Sequence, residues 1–299
     1  MQLFYEEEAK NIPDPIIYTM SGHTLKGLDR ICNDLAEIIV YFDGGYYGEL
    51  PNNSDEVEWS DVIQWLQLAM AVNDVSVSFT KFDYSAVCCE NIWELEQGRG
   101  TMTSGITTNL LRFNFIWGAL ESIITIIDTP SKYPFKESKG KYNSACYYLK
   151  TLYEPRVVPL FYKEFLNGLF ERLEGRNQFN KVIKEFCYKD YVGFSGMGLN
   201  VIKRIRNKIA HGNMRFPEPD DQGYIYEEII EISSYLLAIN IQMLLVSYLQ
   251  IRNYIIGFNE DGTIDDTYEE SVSEVSLEIY LRSIHLEIEE EDLNQLKLF

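Results

Sequence analysis

The stretch that decides the fold is LNVIKRIRNKIAHG, residues 199–212. Its apolar side chains recur at steps of three and four, which predicts a helix with one buried face, made of Leu199, Ile202, Ile205 and Ile209. Gly212 is placed to end this helix in a left-handed conformation, so His211 falls in the last turn. Asn207 lies one turn before His211 on the same face and can orient its imidazole, whereas Arg206 lies about 140° around an ideal helix.

Arg206 and His211, with four residues between them, resemble the Arg-x4-His motif of the HEPN superfamily, many of whose members are metal-independent ribonucleases. The resemblance implies a homodimer in which two motif helices form one composite cleft. It implies that Arg206 binds the scissile phosphate, His211 transfers a proton at a ribose oxygen and Asn207 positions one of them. The chemistry suits an imidazole that titrates near neutrality and a permanently charged guanidinium. No metal or other cofactor is expected.

The alternative for these residues is an ordinary helix end, where Arg and His favour the negative end of the helix dipole. His23 and His285 have no arginine at the motif's interval, so we expect surface or packing roles for both.

Glu121 is a carboxylate within the strongly apolar segment 107–128, where burial is costly unless the charge is paired. Some HEPN nucleases use a glutamate from an earlier long helix. By that resemblance Glu121 joins the catalytic residues and pairs with Arg206. The alternative is a solvent-facing glutamate on the polar side of the helix.

The net charge of −20 is unevenly distributed. Residues 1–61 carry thirteen acids and three bases, and residues 260–299 carry thirteen acids and two bases. The segment from Tyr191 to Pro217 has no acid, and we expect its bases to bind RNA phosphates: Lys203, Arg204, Lys208 and Arg215, beside the catalytic Arg206.

A second basic stretch alternates with aromatic residues, a combination that can hold phosphates and stack bases. Its bases are Lys132, Lys136, Lys139, Lys141 and Lys150, and its aromatic residues include Tyr142. A surface loop followed by a helix with core tyrosines explains the same pattern.

The five cysteines have no C-x-x-C spacing and no secretory signal precedes them, which favours a reduced cytoplasm and argues against zinc. The longest uncharged run, Ile232 to Ile251, contains Ser, Asn and Gln six times, so we expect a buried core helix and no membrane association.

Periodicity predicts a mainly α protein whose HEPN-like domain, residues 101–258, is an antiparallel helical bundle. The predicted helices are Thr107 to Asp128, Tyr142 to Tyr153, Leu160 to Leu173, Phe179 to Tyr191, Asn200 to His211 and Tyr226 to Ile256. The glycine-rich loop before the motif helix is expected to be a flexible connection.

Residues 1–100 are predicted to form an accessory region of helical or α+β structure. It holds helices Leu25 to Phe42 and Trp59 to Val72 and a short strand over Val75, Val77 and Phe79. Residues 259–299 form an acidic C-terminal segment, either a hairpin or a helix. We expect both acidic ends to be solvated surface.

These observations predict a HEPN-type endoribonuclease that acts as a toxin or antiviral effector, with RNA as substrate and a cognate antitoxin or inhibitor as a further partner. The toxin setting follows from the resemblance alone. The alternatives are a non-catalytic helical module that binds RNA, a nucleotide or a partner protein, and an interaction protein whose acidic surface mimics nucleic acid.

Overall fold

The computed structural model describes residues 24–43, 50–79, 90–129, 140–152, 158–176, 191–214, 224–249, 255–258, 264–265 and 273–287, with Phe179 and Val182. This part of the chain is mainly helical. Its helices are α1 Leu28–Asp43, α2 Trp59–Ala71, α3 Glu90–Ile127, α4 Lys141–Leu152, α5 Tyr162–Leu173, α6 Met197–Ala210, α7 Tyr224–Leu249 and α8 Leu277–Ser283. Its strands are β1 Thr24–Leu25, β2 Ile255–Phe258, β3 Ile264–Asp265, β4 Ser273–Ser276 and β5 Leu286–Glu287.

Helix α7 is the centre of the packing, because it contacts α1, α3, α4, α5, α6 and α8. Three of its buried polar residues bond to the backbone of the helix itself. Ser233 and Ser234 donate their hydroxyls to the carbonyls four residues earlier, and the Asn240 side-chain amide donates to the Leu236 carbonyl at 2.6 Å. From Ile232 to Leu249, the described part of the uncharged segment is therefore a mostly buried helix, as its composition predicts.

Two helices of the described chain are long and apolar enough to cross a membrane, within Ile92–Ile127 and Ile225–Leu249. Their most apolar windows are 56% and 78% buried inside the protein. Length and composition are weak evidence for a membrane span, because core helices of soluble proteins share them.

One contiguous apolar core includes residues from all three predicted segments of the chain. Helix α2 packs between α1 and α3, and the C-terminal segment contributes Leu277, Leu281 and Ile284. The expectation that the acidic C-terminal segment is solvated surface is therefore wrong for residues 273–287. These residues keep Glu274 exposed and bury the apolar side chains between the acids.

The structure decides between the hairpin and the helix that the sequence allows for the C-terminal segment. Residues 277–283 form helix α8, and β5 then pairs antiparallel with β1, with Thr24 opposite Glu287 and Leu25 opposite Leu286. Strands β3, β2 and β4 form a separate antiparallel sheet in that order. Because Ile255 and Ile256 belong to β2, the prediction that one helix extends to Ile256 is wrong. An apolar β-branched run fits a strand as well as a helix.

The predicted strand over Val75, Val77 and Phe79 is also wrong as a sheet strand. Residues 72–78 form neither a helix nor a strand, and two of their amides bond to helix α3. Val75 N–H donates to the Thr108 hydroxyl at 2.9 Å, and Val77 N–H donates to the Ser104 hydroxyl at 2.8 Å. Two extended residues advance nearly as far as four helical residues, so the hydroxyls of one helix face match the alternate amides.

Candidate functional site

The motif helix α6 begins from a buried loop whose position depends on Tyr162. The Tyr162 hydroxyl accepts a hydrogen bond from Gly198 N–H at 2.8 Å and lies 2.9 Å from the Ser195 carbonyl oxygen, to which it can donate. A Cβ on Gly196 would lie 2.3 Å from the Val192 carbonyl oxygen. The expectation of a flexible connection is therefore wrong, because the glycines permit close packing.

The other end of α6 is a Schellman motif, as the glycine predicts. Gly212 has φ +64°, its N–H donates to the Ile209 carbonyl at 3.0 Å, and Asn213 N–H donates to the Lys208 carbonyl at 2.9 Å. His211 is the residue that caps the helix, and its side chain is exposed. The imidazole is accordingly held at a well-defined helix end and faces solvent.

Arg206 lies on the side of α6 that faces α3. Its guanidinium carbon is 5.6 Å from the centroid of the Trp117 ring, and its side chain is half-buried. Asn207 is exposed, and its contact with His211 is the backbone bond from the His211 N–H to the Asn207 carbonyl at 3.1 Å. Among the described residues, no side-chain hydrogen bond joins Arg206, Asn207 and His211.

Glu121 is paired, with partners other than the expected one. It accepts a hydrogen bond from the Tyr142 hydroxyl, and its Oε1 lies 3.6 Å from the Lys141 ammonium. Within the described chain, no ion pair joins Glu121 to Arg206. Helix α4 supplies both observed partners, and it packs against α3 near the site.

The predicted RNA-binding residues Lys203 and Lys208 lie near different aromatic rings. Lys203 Nζ donates to Asn143 Oδ1 at 3.0 Å and lies 5.8 Å from the centroid of the Tyr142 ring. Lys208 Nζ lies 5.9 Å from the Phe179 ring centroid instead. Arg204 is half-buried, with its Nε fully covered. Several predicted features lie outside the described residues: Arg215, Lys132, Lys136, Lys139, His23 and most of the predicted helix from Phe179 to Tyr191.

The sequence did not indicate two residues that the structure brings to the site, Trp117 and Asn143. Trp117 lies one helical turn before Glu121, and that spacing is the one local signal for it. Its ring is 5.0 Å from the Tyr142 ring, centroid to centroid. Tyr142 and Lys141 belong to the second basic stretch, so the structure joins that stretch to the motif helix.

The cysteine behind the motif loop is chemically inert. Cys146 is fully buried, and its Sγ lies 3.4 Å from the Gly196 carbonyl oxygen. Burial raises the pKa of this thiol to about 12, against the smaller opposing effect of Lys203. The thiolate form needed for nucleophilic chemistry is therefore scarce near neutral pH. Among the described residues, no group of three or more His, Cys, Asp or Glu side chains could hold a metal ion.

Comparisons with protein-family models, with curated proteins and with solved structures found no match to this chain. The geometry defines a mainly helical protein in which three helices, α3, α4 and α6, bring cationic and aromatic side chains together, and the exposed His211 caps the third of these helices.

Proposed function

We propose that this protein is a metal-independent endoribonuclease of the HEPN type, whose bundle corresponds to residues 101–258. The observation that carries the proposal is the arrangement of helix α6. This helix presents Asn207 and His211 to solvent at a defined helix end and holds Arg206 against Trp117. The mainly helical architecture supports the same assignment.

In the proposed reaction, the RNA 2′-oxygen attacks the adjacent phosphorus and the 5′-oxygen of the next nucleotide leaves. The product is a 2′,3′-cyclic phosphate, which water can open to a 3′-phosphate. His211 transfers a proton to or from one of these ribose oxygens, and Arg206 neutralises the charge on the phosphate. Asn207 positions either Arg206 or His211, and Glu121 acts through its hydrogen bond to Tyr142.

The proposed active unit is a homodimer. Arg206 faces α3 and His211 faces solvent, so one protomer does not direct both side chains to one point. Two copies of α6 placed side by side would supply Arg206 from one protomer and His211 from its partner. A toxin or antiviral role, with a cognate antitoxin or inhibitor, and a cytoplasmic location belong to the same proposal and rest on the HEPN resemblance.

The test is cleavage of total RNA in EDTA by the wild-type protein and by the Arg206→Ala and His211→Ala variants. We expect cyclic or 3′-phosphate ends, and a loss of about 100-fold or more in each variant. Lys163→Ala is the matched control, because it removes an exposed cation from helix α5. Undiminished cleavage by His211→Ala would contradict the mechanism.

A second candidate is a non-catalytic module that binds RNA, a nucleotide or a partner protein. The observation in its favour is that Lys203 and Arg206 gather around aromatic rings within one protomer, whereas the His211 ring makes no hydrogen bond among the described residues. Folded wild-type protein that binds RNA without cleaving it would favour this candidate.

A further inference from the structure

Three cations from two helices meet at one pair of aromatic rings. Helix α3 supplies Trp117, helix α4 supplies Tyr142 and Lys141, and helix α6 supplies Lys203 and Arg206. The Lys141 and Lys203 ammonium nitrogens lie 5.5 and 5.8 Å from the Tyr142 ring centroid. The Arg206 guanidinium carbon lies 5.6 Å from the Trp117 ring centroid.

The rings hold these cations close to one another. Because the Lys141 and Lys203 ammonium nitrogens both lie close to the Tyr142 ring centroid, the distance between these nitrogens is at most about 11 Å. The Trp117 ring is 5.0 Å from the Tyr142 ring, so the Arg206 guanidinium carbon is at most about 11 Å from the Tyr142 ring centroid. One nucleic-acid strand offers more than one phosphate over such a distance.

The cations remain accessible, whereas the Trp117 ring is covered and the Tyr142 ring is half-buried. Trp117 is 3% exposed, whereas the Lys141 side chain is 40% exposed and Lys203 and Arg206 are half-buried. A cation on an aromatic face still offers its N–H groups to an anion on the other side. The rings therefore act as a support for the cations.

The charge of the cluster favours an added anion. Glu121 is the acid in contact with it among the described residues, and its Oε1 is 3.6 Å from Lys141 Nζ. The Glu121 side chain is itself 35% exposed, and its second contact is the Tyr142 hydroxyl. Among the contacts of the described residues, one carboxylate meets three cations, on a chain that is otherwise strongly acidic.

We propose that Lys141, Lys203 and Arg206 form a phosphate-binding strip for single-stranded RNA. The inference rests on the proposed function and deepens it, because it assigns the nucleotides beside the scissile phosphate to the α4 side of α6. On binding, an RNA phosphate displaces the Glu121 carboxylate from Lys141. Lys208, which faces Phe179, lies outside the strip.

The experiment uses a fluorescein-labelled, single-stranded 2′-O-methyl RNA of twelve nucleotides, which cannot undergo 2′-hydroxyl attack. Fluorescence anisotropy would give its Kd for the full-length wild type and for Lys141→Ala and Lys203→Ala over a range of salt concentrations. Lys141→Arg and Lys203→Arg preserve the charge, and Lys163→Ala is the control for an exposed cation elsewhere.

We expect each alanine variant to weaken binding by roughly 5- to 10-fold and to reduce the salt slope by about 0.7. The arginine variants should bind like the wild type, and so should Lys163→Ala. Circular dichroism and thermal unfolding would show that the variants are folded. Wild-type affinity and salt slope in both alanine variants would overturn the strip, as would an equal loss in Lys163→Ala.

Further measurements test the ligand class and the proposed function separately. Equal sensitivity of a duplex RNA to the alanine variants would contradict the single-strand assignment, and competition by millimolar inorganic phosphate alone would contradict RNA as the ligand. If the strip binds RNA as expected but unmodified RNA is never cleaved, the strip stands and the nuclease proposal fails. If RNA is cleaved but the strip variants bind normally, the nuclease proposal stands without the strip.

Discussion

The guanidinium carbon of Arg206 lies 5.6 Å from the centroid of the Trp117 ring, and this contact joins helix α6 to helix α3. The arrangement gives a buried aromatic ring a cationic partner from the proposed site. It also limits the directions in which the Arg206 fork can point, which matters for a residue that we propose binds phosphate.

A double-mutant cycle of Arg206→Ala and Trp117→Leu should detect this contact. We expect a coupling of about 0.5–1 kcal/mol in the free energy of unfolding, because cation–π pairs of this exposure contribute that much. Trp117→Leu alone should cost about 3 kcal/mol, because it empties space in the core. Urea unfolding of the four proteins measures both quantities, and strictly additive effects would show that the contact contributes nothing.

Replacing Gly212 should weaken the helix end that presents His211. Gly212 has φ +64°, where a Cβ is strained, so we expect Gly212→Ala to destabilise the protein by about 1 kcal/mol. Gly98 is the contrasting control. It lies in helix α3 with open space around it, so Gly98→Ala should stabilise by about 0.5–1 kcal/mol. Thermal unfolding of both variants gives the two signs, and equal shifts would contradict the cap.

Removing the Thr108 hydroxyl should loosen the extended segment on helix α3. Thr108→Val deprives the Val75 N–H of its acceptor, at an expected cost of about 1 kcal/mol. Thr107→Val is the matched control, because the Thr107 hydroxyl bonds only to the Thr103 carbonyl among the described residues. Hydrogen exchange at the Val75 amide should accelerate in the Thr108 variant. Unchanged exchange would show that another group can accept this bond.

His285 should make stability fall as pH is lowered. Its imidazole is buried between the Gln242 side chain and the Leu160 carbonyl, and burial lowers its pKa from 6.5 to about 4. The unfolded chain takes up a proton below about pH 6.5 and the folded protein does so only near pH 4, so stability is present above pH 6.5 and lost as pH falls.

A variant separates the contribution of His285 to the pH dependence of stability from the contributions of other titrating groups. Between pH 7 and pH 5, His285 should account for about 2 kcal/mol of the lost free energy of unfolding. The His285→Asn variant lacks the titrating group, so its urea midpoint should depend less on pH over that interval. Parallel curves for the two proteins would contradict a depressed pKa.

The neutral form of His285 determines what each ring nitrogen can bond to. A neutral imidazole donates from one nitrogen, and the Leu160 carbonyl takes that bond at 2.8 Å from Nε2. Nδ1 then needs a donor, which the Gln242 side-chain amide supplies when its nitrogen faces the imidazole.

Local patterns predicted several helix ends, because a helix end depends on residues within one or two turns, but helix α3 begins at Glu90 and not at the predicted Thr107. The predicted start at Trp59 and the end of the motif helix before Gly212 are both observed. Periodicity failed where the partner of a segment decides its structure. Val75 and Val77 bond to hydroxyls of α3, and Ile255 pairs with Ser276 in a sheet. Those partners are distant in sequence and leave no local signal.

By itself, the sequence determined a mainly helical protein, the motif helix and the helix end at His211, since these follow from spacing and from glycine's conformational freedom. Only the tertiary structure decided that Glu121 bonds to Tyr142 and that Lys203 and Lys208 point to different aromatic partners. The physical reason is that side-chain contacts between α3, α4 and α6 depend on how the shared core packs these helices together.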